Sequence, residues 1–220
     1  MEASITDLLD RQARRWQLEG GAGMPQPRGP LVAVSRWAGA YGDEMASRVA
    51  EWLDYGLFGA AAIDQLAADA ELGARLAADL DPAQRAAIDA RIASVLATAP
   101  AAPPELVRVV ATLGERGMAV VLGRGAASIL PPERALRVLV VAPDAVRAER
   151  TAQAQQIPIA EAVACVASAD GARRAALHAR FGIAAEDLTH YDLVLNTEAL
   201  SIEAAAALAV DALRRRFPLR

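Results

Sequence analysis

The residues that could do chemistry in this chain are arginines set beside glycines. All 23 basic residues among the 220 are arginine, so any cation that meets a phosphate here is a guanidinium. A guanidinium forks onto a phosphate or carboxylate through two parallel hydrogen bonds, where an ammonium acts as a point charge. The first such place follows the apolar run Leu31–Ser35: Arg36-Trp37-Ala38-Gly39-Ala40-Tyr41-Gly42, then Asp43-Glu44. A glycine turn from a strand into a helix presents backbone N–H groups to an anion. The strict G-x-x-x-x-G-K-[ST] pattern is not met. Asp43 and Glu44 suit a helix N-terminus and oppose an incoming phosphate. A phosphate cradle and an ordinary capped turn both remain open.

The second place is Gly123-Arg124-Gly125, which follows the apolar run Met118–Leu122. Arg124 leaves the carboxyl end of a buried strand, where open α/β sheets bind ligands. A salt bridge to Asp144 or Glu133 is the competing reading. The same loop imitates a dinucleotide fingerprint, with Gly123, Gly125 and Ser128 at the glycine positions and Asp144 as the ribose acid. Pro131-Pro132 leaves only a short helix there, against the usual crossover helix. The third group is Arg147, Arg150, Arg173, Arg174 and Arg180, with a helix break expected at Asp170-Gly171. Arginines on a mobile helical flap can close over a polyphosphate and exclude water; the alternative is a solvated helix face. His178 and His190 lack a ligand partner at i+3 or i+4. Cys165, the lone cysteine, reads as a buried helical residue, and no metal ligands are expected.

These groups need a scaffold, and the apolar pattern supplies one. Short buried runs at Leu31–Ser35, Met118–Leu122, Ala135–Val141 and Tyr191–Leu195 read as parallel strands. Helical segments lie between them: about 43–53, 61–97 with a break at Asp81-Pro82, 105–116, 126–130, 143–150 and onward, 158–180, and 201–216. Alternation of strands and helices implies a parallel sheet with helices on both faces. Residues 4–18 form an amphipathic helix with Ile5, Leu8, Leu9, Gln12 and Trp16 on one face. It packs on the body or on a second copy. Residues 20–30 read as a linker. With 23 arginines against 27 acids, the chain lacks the basic surface of a nucleic-acid binder. No run approaches the ~18 apolar residues of a membrane span. The start, MEASITDLLD, lacks a signal-peptide pattern. A single cysteine fits a reducing compartment, so a cytoplasmic location is expected.

The run VVLGRGAASILPPERALRVLVVAPDAVRAER, from Val120 to Arg150, resembles bacterial cytidylate kinases and, more closely, the cytidylate kinase-like family. VAVSRWAGAYGDEMASRVAEWL and YDLVLNTEALSIEAAAAL resemble the family's first and last strand–helix units. The resemblance covers about residues 30–216. It implies a P-loop kinase-like three-layer α/β fold: about five parallel strands, helices on both faces, a helical lid and an N-terminal helical extension (1–30 beside a kinase-like domain, 31–220). It implies transfer of the ATP γ-phosphoryl to a CMP-like nucleoside monophosphate with Mg²⁺. Carried over, Arg36, Gly39, Ala40, Tyr41, Gly42 and Asp43 form the ATP-phosphate loop. Gly123, Arg124, Gly125 and Asp170 bind the acceptor. Arg150, Arg173 and Arg174 act in transfer. Arg124, Arg150 and Arg173 are then expected around one anion-sized hollow. The chain departs from its relatives at Tyr41, where they are small, at Asp43, where they are often basic, and at Leu57–Ala61, where they carry polar groups. The departures motivate a second expectation, a catalytically silent nucleotide sensor or protein-interaction protein. A dinucleotide binder is the third. A homodimer through the N-terminal helix is the expected assembly.

Overall fold

The structure, a computed structural model, describes residues 4–19 and 29–217. The expected linker falls largely outside them. The elements in chain order are α1 (Ile5–Glu19), β1 (Leu31–Arg36), α2 (Gly42–Leu53), β2 (Gly56–Phe58), α3 (Ala60–Ala68), α4 (Ala70–Leu76), α5 (Pro82–Thr98), α6 (Pro104–Arg116), β3 (Ala119–Leu122), α7 (Ala126–Ile129), β4 (Ala135–Val141), α8 (Asp144–Gln155), α9 (Ile159–Phe181), β5 (Leu193–Asn196) and α10 (Ile202–Arg216).

The five strands form one parallel sheet in the order β2-β3-β1-β4-β5, with β1 at its centre. A strand covered on both faces is apolar throughout, because successive side chains point to opposite faces. In β1, Leu31 and Ala33 enter one core with α1, α3–α6 and α7. Val32 and Val34 enter the other, against Met45 and Val49 of α2 and Ala205, Ala209 and Leu213 of α10. Alanine on α10 lets that helix sit close to the sheet.

Four of the five strands are apolar runs in the sequence. The fifth, β2, is three residues long and pairs Leu57 with Val120 and Phe58 with Val121. It is too short to show a period of two. Two helix boundaries also differ from expectation. The 61–97 segment breaks a second time at Asp69, whose side chain caps Glu71 N–H and Leu72 N–H. Asp81 closes a capping box with Gln84, as its position before Pro82 suggests. The break expected at Asp170-Gly171 is absent, and α9 runs unbroken through it. Asp170 faces inward there, engaged by an arginine described below.

The amphipathic α1 packs on its own chain. Trp16 donates Nε1–H to the Gly117 carbonyl at 3.1 Å, with the Arg116 guanidinium 4.5 Å from its ring. Gln12 donates to the Met118 carbonyl at 3.0 Å and accepts from Gly56 N–H at 2.8 Å, tying the starts of β2 and β3 to the helix. The stripe that a homodimer through this helix would use, Leu9, Gln12 and Trp16, is buried within the monomer. Among the described residues no helix is long and apolar enough to cross a membrane.

At the far side of the sheet Asp192 fastens β5 to β4. Its carboxylate accepts from Arg137 N–H at 2.8 Å, from Arg137 Nη2 at 2.7 Å, and pairs with Arg216 at 2.6 Å. Burial alone would raise its pKa. The hydrogen bonds from Arg137 and Arg216 outweigh that and lower it from 3.8 to about 2. A depressed carboxyl stabilises the fold above its unfolded pKa and loses that contribution as pH falls toward the folded one. Asp192→Asn should therefore lower thermal stability at neutral pH by about 1–3 kcal/mol. The gap to the parent should close as pH falls from about 4 to about 2, read by melting curves across that range.

Candidate functional site

β1 delivers its last residue, Arg36, to the carboxyl edge of the sheet, and the chain turns through Trp37–Tyr41 into α2. Gly39 (φ 74°) and Tyr41 (φ 57°) both take left-handed backbone. Tyr41 is the N-cap of α2 and gives it no side-chain cap. Among the described residues, the N–H groups of Gly39, Tyr41, Gly42, Asp43 and Glu44 have no hydrogen-bond partner. The turn therefore presents unpartnered amides at a helix N-terminus, the feature that favours an anion.

Arg36 lies across this opening. A Cβ on Gly42 would stand 2.4 Å from Arg36 Cβ, so only glycine admits the arginine stem. Its guanidinium reaches over toward Gly123 and clamps Asp43 through two hydrogen bonds of 2.8 and 2.9 Å. The fork geometry suits a phosphate, and a carboxylate of the chain fills it.

Two aromatic rings gather the other arginines at the same loop. Arg173 and Arg174 lie 4.7 and 4.8 Å from the Trp37 ring centroid, and Arg147 lies 5.9 Å from it. Arg150 lies 4.2 Å from the Tyr41 ring and donates to both oxygens of Thr197, at 2.9 Å to Oγ1 and 2.7 Å to the carbonyl. Thr197 donates its hydroxyl to the Ala40 carbonyl at 2.9 Å. Cation–π contacts of this kind hold a guanidinium without neutralising it. Arg173 also donates to the Tyr191 hydroxyl at 3.0 Å. Arg174 pairs with Glu186, whose carboxyl is held below its ordinary pKa by that hydrogen bond.

The lid hairpin α8–α9 is clamped to the loop through one buried pair. Arg147 and Asp170, both 5% exposed at the side chain, meet at 2.8 Å. Arg147 donates to the Ala38 carbonyl at 2.9 Å, and Asp170 accepts from Ala38 N–H at 3.2 Å. Both polar groups of residue 38 are thus read by the hairpin. Asp170 acts here as a partner of Arg147 rather than as a free acid.

Arg124 stands apart. It has left-handed backbone (φ 56°) and pairs with Asp64 of α3. Its Nε is buried with no hydrogen-bond partner, as is Nη1 of Arg173. The expected set of Arg124, Arg150 and Arg173 therefore keeps three separate partners: Asp64, Thr197 and Tyr191. The dinucleotide reading fails on geometry. A Cβ on Gly125 would stand 2.2 Å from Phe181 Cε2, so that ring covers the glycine face a pyrophosphate would approach, and α7 has only four residues.

The residues of the site that the sequence does not single out are Trp37, Tyr191 and Asp64, while Thr197 reads there as part of a structural turn and Arg147 as one of a series. Trp37 carried a signal: it is one of three tryptophans in a chain with 4% aromatics, and it sits in the glycine turn. The others carried none, since their neighbours come from distant segments.

The architecture and the turn define the class. A parallel sheet ordered 2-3-1-4-5, with a glycine turn joining the central strand to its helix and a helical lid over it, is a P-loop kinase-like fold. The chain matches the cytidylate kinase-like family over residues 31–199, and it belongs to that family. Among solved structures it is similar to an uncharacterized protein from Eubacterium ventriosum ATCC 27560, at 14% identity and TM-score 0.64, over 84% of this chain and 98% of that one. It is also similar to TT1252 from Thermus thermophilus, at 19% identity and TM-score 0.47, over 86% and 97% of the two chains. A third is a shikimate kinase from Bacteroides thetaiotaomicron, at 12% identity and TM-score 0.43, over 84% and 96%. The likeness to the first of these, at 14% identity, is one of fold. No curated protein matches the sequence.

Proposed function

We propose that this chain binds a nucleoside triphosphate at the β1–α2 turn and holds it without efficient phosphoryl transfer, as a nucleotide sensor built on residues 31–220. The Arg36–Asp43 pair carries this reading. It places a carboxylate at the first turn of α2, beside the unpartnered amides, and engages the arginine nearest to them. The phosphates fit: five amide donors and the half-satisfied guanidinium of Arg173 face the turn or its lid. Among the described residues no group of three or more acids, histidines or cysteines could hold a metal by itself, so a Mg²⁺ here would be held chiefly through the phosphates it accompanies. Of the acids around the turn, Asp43, Asp144 and Asp170 are each paired with an arginine, and Glu44 is exposed in the first turn of α2. The Thr151 hydroxyl beside Gly39 donates to the Arg147 carbonyl. Transition-state charge in phosphoryl transfer is met by preorganised cations aimed at it, and here Arg36, Arg124 and Arg174 are each paired with a carboxylate of the chain instead.

The second reading is transfer of the ATP γ-phosphoryl to a CMP-like monophosphate. The buried, unpartnered Nε of Arg124 favours it, because an acceptor phosphate replacing Asp64 would satisfy that donor. One experiment separates the two. Thermal shift and calorimetric titration with ATP should show saturable binding, since a ligand stabilises the state it binds. A coupled assay with ATP, Mg²⁺ and CMP at high enzyme concentration should show no turnover. Turnover abolished by Arg124→Ala would replace the sensor by the kinase. Absence of any nucleotide binding would remove both and leave an interaction role.

A further inference from the structure

α5 carries an arginine, Arg91, that lines two hollows. The larger, about 360 Å³, lies between α5 and α6, and its walls are Ala87, Ile88, Ala111 and Leu130, with Pro131 at one end. That volume falls in the range that holds small ligands. The smaller, about 90 Å³, lies on the other side of the same arginine and is lined by Ser94, Thr98 and Ser128 beside Phe181. Arg91 and Ser94 line both.

Arg91 is half-buried, and only its Nε is engaged, donating to the Ile129 carbonyl. Its two terminal nitrogens make no hydrogen bond or ion pair among the described residues, and neither do the hydroxyls of Ser94 and Ser128. Burial lowers the Arg91 pKa, and the Glu133 carboxylate, near but not paired, partly offsets this. Arg134, at the far end of the larger hollow, is already satisfied by the Gly114 and Glu115 carbonyls and faces the Glu115 carboxylate at 3.6 Å.

We propose that the larger hollow is a binding site for a small amphipathic monocarboxylate, its apolar body against Ile88, Ala111 and Leu130 and its carboxylate on Arg91 and Ser94. The planar fork of a guanidinium matches a carboxylate through two parallel hydrogen bonds. A monoanion suits the site better than a phosphate dianion, because one arginine faces it while Glu133 and Glu115 stand nearby. The apolar wall selects for a hydrocarbon tail, each buried methylene adding about 0.8 kcal/mol, or about fourfold in affinity.

The test uses the full chain and straight-chain carboxylates of six to ten carbons, below their micellar concentrations, titrated by calorimetry against the matching alcohols. The expected result is saturable one-to-one binding that strengthens with chain length until the hollow is full. The alcohols should bind at least tenfold more weakly. Arg91→Met should lose binding by tenfold or more while its melting temperature is monitored. Ala87→Phe, a change at the exposed rim of the larger hollow, provides a second variant that leaves the core intact and should also abolish binding. Absence of saturable binding to the parent chain overturns the proposal. So does equal binding of carboxylate and alcohol, or binding untouched in both variants.

Discussion

Arg147→Met is expected to destabilise the protein by about 3–5 kcal/mol, the cost of leaving a buried charge without its partner. The substitution strands the Asp170 carboxylate, 5% exposed, with only Ala38 N–H to solvate it. It also removes the donor to the Ala38 and Ala142 carbonyls. For a chain of this length that energy corresponds to a fall in melting temperature of about 6–20 °C. Asp170→Asn should cost less, about 1–3 kcal/mol. The amide still accepts from Ala38, and Arg147 keeps Asp144 and two carbonyls. The double variant Arg147→Met/Asp170→Leu should recover much of the single loss, since removing both charges can be nearly neutral. It should not recover all of it, because Ala38 N–H is then left without an acceptor. Melting curves of the three variants decide the matter. A double variant that recovers none of the loss of Arg147→Met would show that the pair does not hold the lid hairpin to the turn.

Asp43→Ala should tighten ATP binding by about 10- to 100-fold, measured by calorimetry. The magnitude is that of one charge-assisted hydrogen-bonded interaction released to the ligand, at 1.4 kcal/mol per factor of ten. Two causes act together. A negative charge leaves the first turn of α2, and the Arg36 fork is freed to meet a phosphate. The gain should shrink when Arg36→Ala is added, which a double-mutant cycle measures. The variant's stability should change by less than about 1 kcal/mol, because both partners are partly exposed and such pairs contribute little. Unchanged ATP affinity in Asp43→Ala would remove the carboxylate as the internal occupant of the turn, and with it the basis of the sensor reading. Increasing salt should weaken ATP binding more steeply in the variant than in the parent, since the freed Arg36 adds a screened attraction to the phosphates and the removed Asp43 takes away a screened repulsion.

The class of the fold was legible because burial on both faces of a parallel strand writes itself into contiguous residues. Leu31–Val34, Val138–Val141 and the run before Gly123 are apolar without interruption, and glycine marks the turns that follow two of them. The closing caps were equally local: Asp81 before Pro82, and Ser201 before α10, whose hydroxyl accepts from Ala204 N–H. The three-residue β2 was not legible, since its strand character comes from pairing with β3 rather than from any period of its own.

What the sequence determined by itself is that the cations of this chain are guanidinium groups, several of them set beside glycine turns at the carboxyl edge of a parallel sheet. That follows from residue type, from local spacing and from the rule that helices cross parallel strands. Only the tertiary structure decided which partner each arginine has. Asp43 sits seven residues from Arg36, but Asp64 is 60 residues from Arg124, and Thr197 is 47 from Arg150. A guanidinium bonds equally well to a phosphate, a carboxylate, a hydroxyl or an aromatic face, so its type fixes the chemistry on offer. The neighbour that takes up the offer depends on packing between distant segments, which spacing along the chain does not encode.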